Sequence, residues 1–471
     1  MLSAKYARPR AVILSLAIVS LLCGIASAQT TQTPVAAYML LGPGGERIAR
    51  VVTEIKDCPA LFVDGHVMEM QVRAPAGTAP LRPTAEKDGQ AKPSTFAATI
   101  CEAKIAPAAR HVSVHGWTLA LPPRIIRRIV VIGDTGCRVK GGTVQNCNDP
   151  KAYPFARIAE AAAAWKPDLV LHVGDYLYRE SPCPEGAAGC AGNPWGFGLD
   201  AWRADFLDPA APLLKAAPWA MVRGNHESCD RAGQGWQRLF DVYPLTANRT
   251  CDDPLNDGKG DFTEPFAVPL GLGAQIVIWD TAGAGYKVFA ADDPHAVAYA
   301  DNIRRIAALA RLAPHTILAN HHPVLAIAAR KGKDGHPEFG TSNRSLQDLL
   351  VRADPKLYPA GIDLLLSGHV HVWEQLSFAG RYPSQFVAGF SGTQEDIVPL
   401  PETLPSDLEP EPGVKPDAFS SWVDGFGFMT LERTGPSSWT ARIHDLTGKV
   451  VNRCAIKGRI SKCDLRQVHS G

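Results

Sequence analysis

From Arg124 onward, short apolar runs alternate with longer segments whose apolar positions recur at helical spacing. Runs at 129–132, 169–173, 219–222, 275–279, 316–319 and 362–366 predict strands. Segments 155–165, 201–215, 299–312 and 345–351 predict helices. Repeated strand–helix–strand units imply parallel strands with helices outside them. A Pro- and acid-rich stretch at 398–416 reads as a surface loop. Beyond it, GFGFMTLER, SWTARIHDL and KVVNRCAI return to a strand pattern.

Residues 29–122 follow another pattern. RIARVVTEI, ALFVDGHVMEMQV and HVSVHGWTLAL combine β-branched residues with partial alternation, and a Pro/Ala/Thr/Lys-rich loop at 75–93 lies between them. This segment predicts an accessory β-domain ahead of a catalytic domain at 123–468. Residues 1–28 read as a signal peptide. Lys5, Arg8 and Arg10 precede the apolar run AVILSLAIVSLLCGIA, and Ala26-Ser27-Ala28 offers an A-x-A cleavage site. The run is too short to favour a permanent anchor. The mature chain is expected to be secreted or periplasmic, with no membrane anchor.

Composition changes this picture in two ways. The formal net charge of +1 gives no argument for a nucleic-acid partner. Of 11 cysteines, only Cys23 falls in the signal segment. The even remainder in an exported chain reads as disulfides. Pairing each cysteine with its nearest neighbour in sequence is the simplest choice among many: 58–101, 137–147, 183–190, 229–251 and 454–463. The absence of any C-x-x-C pair argues against a thiolate metal site.

Candidate chemistry clusters in five motifs: GDTG at 133–136, GDYLY at 174–178, GNHE at 224–227, HHP at 321–323 and GHVH at 368–371. Most follow an apolar run, which puts Asp, Asn and His at the carboxyl ends of strands, where an open α/β sheet builds its site. Two cations held close together need a bridging ligand, and a carboxylate reaches both. Asp134, Asp175, Asn225, His321, His369 and His371 supply one bridge and terminal ligands on either side. Their mixture of oxygen and imidazole suits iron, zinc or manganese.

The ordered set GD…GD…GNHE…H…GHxH resembles the calcineurin-like metallophosphoesterases. Many members carry a His in the first motif where this chain has Gly136. Tyr178, three residues past Asp175, is placed to replace it, and GDTG with GDxxY resembles the purple acid phosphatase type. The resemblance implies a four-layer αββα sandwich, two mixed β-sheets flanked by helices. It implies that Asp134, Asp175, Tyr178 and His371 hold Fe(III), with Asp175 bridging. Asn225, His321 and His369 then hold a divalent ion, Fe, Zn or Mn. His226 becomes the phosphate-contacting, proton-transferring residue, His322 a supporting residue on the substrate side, and Asp280 a support for the ligands. Where animal-type members often have a leaving-group His, this chain has Arg330, which clamps phosphate oxygens but donates no proton at ordinary pH.

The function so implied is an exported acid phosphatase. It hydrolyses phosphate monoesters, whether small molecules or phosphoproteins, by in-line attack of a metal-bound hydroxide. Fe(III) with a divalent ion, less two carboxylates, a phenolate and a hydroxide, leaves about one positive charge to attract a phosphate dianion. The rivals are a phosphodiesterase or nucleotidase of the same superfamily, and a surface-binding protein that keeps the fold without catalysis. His172, inside an apolar strand, reads as a hydrogen-bonded core residue.

Overall fold

In strand Arg128–Ile132, Ile129 and Val131 point to one face and Val130 and Ile132 to the other, and all four are fully buried. The same alternation holds in Ala274–Trp279: Ile276 and Ile278 join the apolar core that holds Ile129 and Val131, while Val277 and Trp279 join a different one. Strands covered on both faces lie in the middle layers of a sandwich. These coordinates are a computed structural model describing Met1 and residues 34–85, 87, 89–333, 337–394 and 398–469. Apart from Met1, the expected signal segment lies outside the described residues.

Two large mixed sheets face each other. The first holds eleven strands among the described residues, in the order Ile460–Cys463, Val450–Lys457, Ser438–Asp445, Gly427–Gly435, Arg128–Ile132, Leu169–His172, Trp219–Met221, Ala36–Leu41, Arg47–Thr53, Thr99–Ile105 and Gln71–Ala74. The second holds seven: Phe266–Gly271, Ala274–Trp279, His315–Asn320, Ile362–Ser367, Ser384–Ala388, Trp373–Ser377 and Ala418–Trp422. Helices Phe155–Ala164, Ala211–Ala216 and Gly233–Leu239 bury Ile158, Leu213 and Trp236 against the outer face of the first sheet. Helices Pro294–Ala310 and Arg344–Ala353 bury Tyr299, Ile303, Leu346 and Leu350 against the outer face of the second. The expected helix–sheet–sheet–helix layering is present.

Two helices differ from their sequence patterns for identifiable reasons. The helix expected at 299–312 begins at Pro294, where Asp293 caps it by accepting the His295 N–H at 2.8 Å and proline occupies the first turn. The helix expected at 201–215 is broken into Leu199–Trp202, a π turn at Arg203–Leu207 and Ala211–Ala216. Pro209 lacks the N–H a continuous helix would need.

The N-terminal segment is β-rich, as expected, and its longer strands extend the first sheet: Leu40 pairs in parallel with Trp219. Their far face, with Met39 and Val51, forms a core with Leu61, Val112 and Val114 from a small four-stranded sheet. Arg50, fully buried, donates to the carbonyls of Arg238, Leu239 and Asp241 at 2.8–3.1 Å and to Glu102 at 2.9 Å. Those carbonyls close the helix Gly233–Leu239, so Arg50 binds the segment to the core through a helix end. The described residues from 34 to 469 cluster as one compact unit, and the seam near 122 is crossed by a hydrogen-bonded ladder. Five disulfides form: Cys58–Cys101, Cys137–Cys147, Cys183–Cys190, Cys229–Cys251 and Cys454–Cys463. They are the nearest-neighbour pairs. No described helix is long and apolar enough to cross a membrane.

Candidate active site and metal centre

Each motif begins where a strand stops. Asp134 follows Arg128–Ile132, Asp175 follows Leu169–His172 and Asn225 follows Trp219–Met221, all in the first sheet. His321 follows His315–Asn320, and His369 and His371 follow Ile362–Ser367, in the second. The site thus straddles the carboxyl ends of both sheets. The chain turns sharply there: Asp134, Asp175 and His369 have φ of 53°, 59° and 71°. Asp tolerates this left-handed region better than most residues, and such strain persists only where the surroundings enforce it. Close packing does so: a Cβ on Gly224 would lie 2.1 Å from Asp175 Oδ1, and one on Gly368 would lie 2.6 Å from Asp134 Oδ2.

The seven expected ligands converge. The Tyr178 hydroxyl lies 3.0 Å from Asp134 Oδ1, 2.8 Å from Asp175 Oδ2 and 2.8 Å from His371 Nε2. On the other side, Asn225 Oδ1 is 3.1 Å from His321 Nε2 and 3.0 Å from His369 Nδ1. Asp175 Oδ2 belongs to both groups, since it is also 3.1 Å from His321 Nε2. Donor atoms about 2.1 Å from one ion at right angles are about 3 Å apart, so these separations suit neighbouring ligands around two cations. The imidazoles are oriented for the purpose. His321 Nδ1 meets the Val173 carbonyl at 2.8 Å and His371 Nδ1 the Gln394 carbonyl at 2.9 Å, which leaves each Nε2 lone pair facing inward.

Electrostatics argue for cations here. Burial, then Asp175 and Asp134, push the Tyr178 phenol well above its ordinary value, so a phenolate at this position requires a positive charge beside it. Burial, the largest single effect, opposes a charged His321, yet Asp175, Asp134 and the Val173 carbonyl together raise the imidazole to about 9. The donor set therefore fits a dinuclear centre: oxygen-rich with one imidazole on the Tyr178 side, two imidazoles and an amide oxygen on the Asn225 side.

Further residues hold this arrangement, and motif reading assigned them no role. Asp205, in the π turn, accepts the backbone N–H groups of Cys137 at 3.0 Å, Tyr178 at 2.8 Å and Arg179 at 3.2 Å. The Glu227 carboxylate accepts the N–H groups of Asp175, Tyr176, Leu177 and Gly224 at 2.9–3.2 Å, fixing the turn that carries the bridging carboxylate. Glu227 is the last letter of GNHE, so its position was visible without its task. Glu180 Oε1 lies 2.5 Å from His226 Nδ1 and is also paired with Arg231.

The remaining candidates occupy different depths. The His226 ring lies against Tyr178 at 3.8 Å between centroids, and its Nε2 is 3.8 Å from Asp175 Oδ2. His322 is buried, its ring 4.3 Å from that of His369 and its Nδ1 3.3 Å from Thr281 Oγ1. Arg330 is exposed and lines a cavity of about 350 Å³ that His369 also lines. Asp280 does not touch a ligand: it accepts N–H groups from Thr263 and Ala282 and lies 3.6 Å from Arg223, which donates to the Glu227 carbonyl. His172 is the expected core residue, accepting from the Gly174 N–H at 3.1 Å and contacting Thr135 Oγ1 at 3.0 Å.

A model of the calcineurin-like phosphoesterase family matches residues 127–373, the span that carries all seven converging side chains. The chain belongs to that family. It is a hydrolase of phosphoric esters, in a family that works with two metal ions. Among solved structures, it resembles the purple acid phosphatase PPD1 from yellow lupin (Lupinus luteus) seeds, with 15% identity and a TM-score of 0.55, over 93% of this chain and 75% of that one. It also resembles PhoD, with 12% identity and a TM-score of 0.50, over 93% of each chain. At such identities the likeness concerns the fold. No curated protein sequence matches the chain significantly.

Proposed function

We propose that this phosphoesterase is an exported acid phosphatase acting on phosphate monoesters with a trivalent iron beside a divalent ion. One observation carries the reading: in a chain with Gly136 where the family often has an imidazole, the Tyr178 hydroxyl lies 2.8–3.0 Å from Asp134, Asp175 and His371. Asp134, Asp175, Tyr178 and His371 would hold the iron, since a phenolate is a hard anionic ligand that favours the trivalent state. Asn225, His321 and His369 would hold the divalent ion, Fe, Zn or Mn, with Asp175 shared. When bound, the ions supply Lewis acidity toward phosphoryl oxygens and acidify water. His226 presents Nε2 toward the reacting side while Glu180 and the Leu177 carbonyl occupy its Nδ1. It therefore contacts phosphate and moves the proton of the leaving oxygen. His322 backs the His369 ring, and Arg330 meets the substrate farther out. Five disulfides and the signal pattern support export to an oxidising compartment.

The test is a visible spectrum with metal analysis on wild type and Tyr178→Phe. A phenolate-to-iron charge-transfer band is expected in the wild type and lost in the variant. Identical spectra would remove the tyrosine ligand and return the chain to the wider set of phosphodiesterases and nucleotidases.

A further inference from the structure

The cavity beside the metal ligands has a definite construction. It is walled by the hairpin of strands Ile327–Lys331 and Pro337–Thr341, by Tyr286 and Pro323, and at its inner end by His369 and Val370. Strand alternation decides which hairpin residues face it. Ile327 and Ala329 turn into the outer core of the second sheet, so Ala328 and Arg330 turn the other way. Ala328 stands opposite Gly340, and Arg330 opposite Glu338. The floor is thus made of small residues, Ala326, Ala328 and Gly340, which is why space remains there. Tyr286 adds aromatic surface, and its hydroxyl reaches to 3.4 Å from His369 Nε2.

Among the described lining residues, the carboxylate and the guanidinium sit at the far end. Arg330 and Glu338 are both exposed, and neither forms an ion pair among the described residues. Ala326 shares an apolar cluster with Val370, the neighbour of His369, so it marks the inner end. Strand rise places Arg330 about 13 Å farther along, roughly 7–10 Å once its side chain reaches back. At about 350 Å³ the cavity is near the lower limit of small-molecule sites.

From this we infer that the enzyme's leaving-group site takes a small, elongated alcohol with an apolar or planar middle and a second anionic group at its far end, which Arg330 reads. The inference rests on the monoester phosphatase reading above and names its substrate class. Arg330 supplies a planar fork of donors suited to a carboxylate or a second phosphate. Glu338, across the hairpin, repels an incoming anion and lowers the preference. Arg330 is a specificity residue, since it meets the part of the substrate that does not react.

The metal-loaded, disulfide-intact protein tests this with ω-carboxyalkyl phosphates of increasing chain length, each against the alkyl phosphate of equal length. The readout is the ratio of kcat/KM within each pair. A ratio of roughly ten, rising to a maximum at intermediate length, is expected for one charge-assisted contact. Arg330→Gln should bring the ratio to about one, and Glu338→Gln should raise it. A wild-type ratio near one at every length, or one unchanged in Arg330→Gln, would overturn the inference while leaving the phosphatase intact. A wild type that turns over no monoester of either series would overturn the phosphatase reading and this inference with it.

Discussion

Glu374→Gln should make the protein more stable at neutral pH, with a gain that grows as pH rises. Glu374 lies in strand Trp373–Ser377, is 1% exposed, and receives the Ile327 N–H at 3.1 Å. Burial raises its acid from the ordinary 4.5 to about 8, against a smaller opposing effect of that hydrogen bond. Between those values the folded protein keeps a proton that the unfolded chain has lost, so unfolding releases a proton and stability falls as pH rises. At pH 7 the difference spans about 2.5 pH units at about 1.36 kcal/mol each, or about 3 kcal/mol. Above pH 8 it levels off near about 5 kcal/mol. Glutamine carries no charge and can still accept the Ile327 N–H. Urea denaturation of both proteins, with disulfides intact, at pH 4.5, 6, 7 and 8 measures this through the midpoint at constant m. The curves should nearly coincide at pH 4.5 and separate above it. Parallel curves, or a variant less stable at every pH, would refute a proton retained on Glu374 in the folded protein. Its partner Ile327 opens the first strand of the hairpin that walls the cavity beside His369.

Two further substitutions test the support of the metal centre. Asp205→Asn removes one acceptor oxygen from a fully buried carboxylate serving the N–H groups of Cys137, Tyr178 and Arg179, and should cost about 2–4 kcal/mol. It should also lower the metal content per chain, and a variant with wild-type denaturation midpoint and metal content would refute that role. Gly224→Ala puts a methyl group 2.1 Å from Asp175 Oδ1, and should reduce phosphoesterase turnover by about a hundredfold while circular dichroism stays unchanged. Full activity in that variant would mean that the position of Asp175 does not matter to the reaction.

The motifs were legible because metal ligands must stand at strand ends, and in this chain glycine precedes Asp134, Asp175, Asn225 and His369. The paired layers were legible in the apolar runs. The pattern around Asp205 carried no comparable signal. Its partners are mostly backbone N–H groups far along the chain, which look alike in every residue, and the π turn that aims it follows no simple period. The hairpin at 327–341 was equally silent: Ala, Gly and charged residues line its cavity face, so neither strand has an apolar alternation on both sides. The role of Arg50 was hidden for a related reason, since an arginine donating to carbonyls at a helix end reads in sequence as a surface charge.

The strand that delivers Asn225 sits between Leu169–His172 on one side and Ala36–Leu41 on the other. Its interior position is a gift of residues that lie 86–91 places before the family-matched span begins. A lineage that copied or exchanged only the motif-bearing stretch would inherit every ligand and yet leave that strand as a raw border, open to pairing with foreign chains. What must be transmitted intact is therefore the whole woven panel, and kinship traced through the ligand motifs alone understates how much of this polypeptide its chemistry depends on.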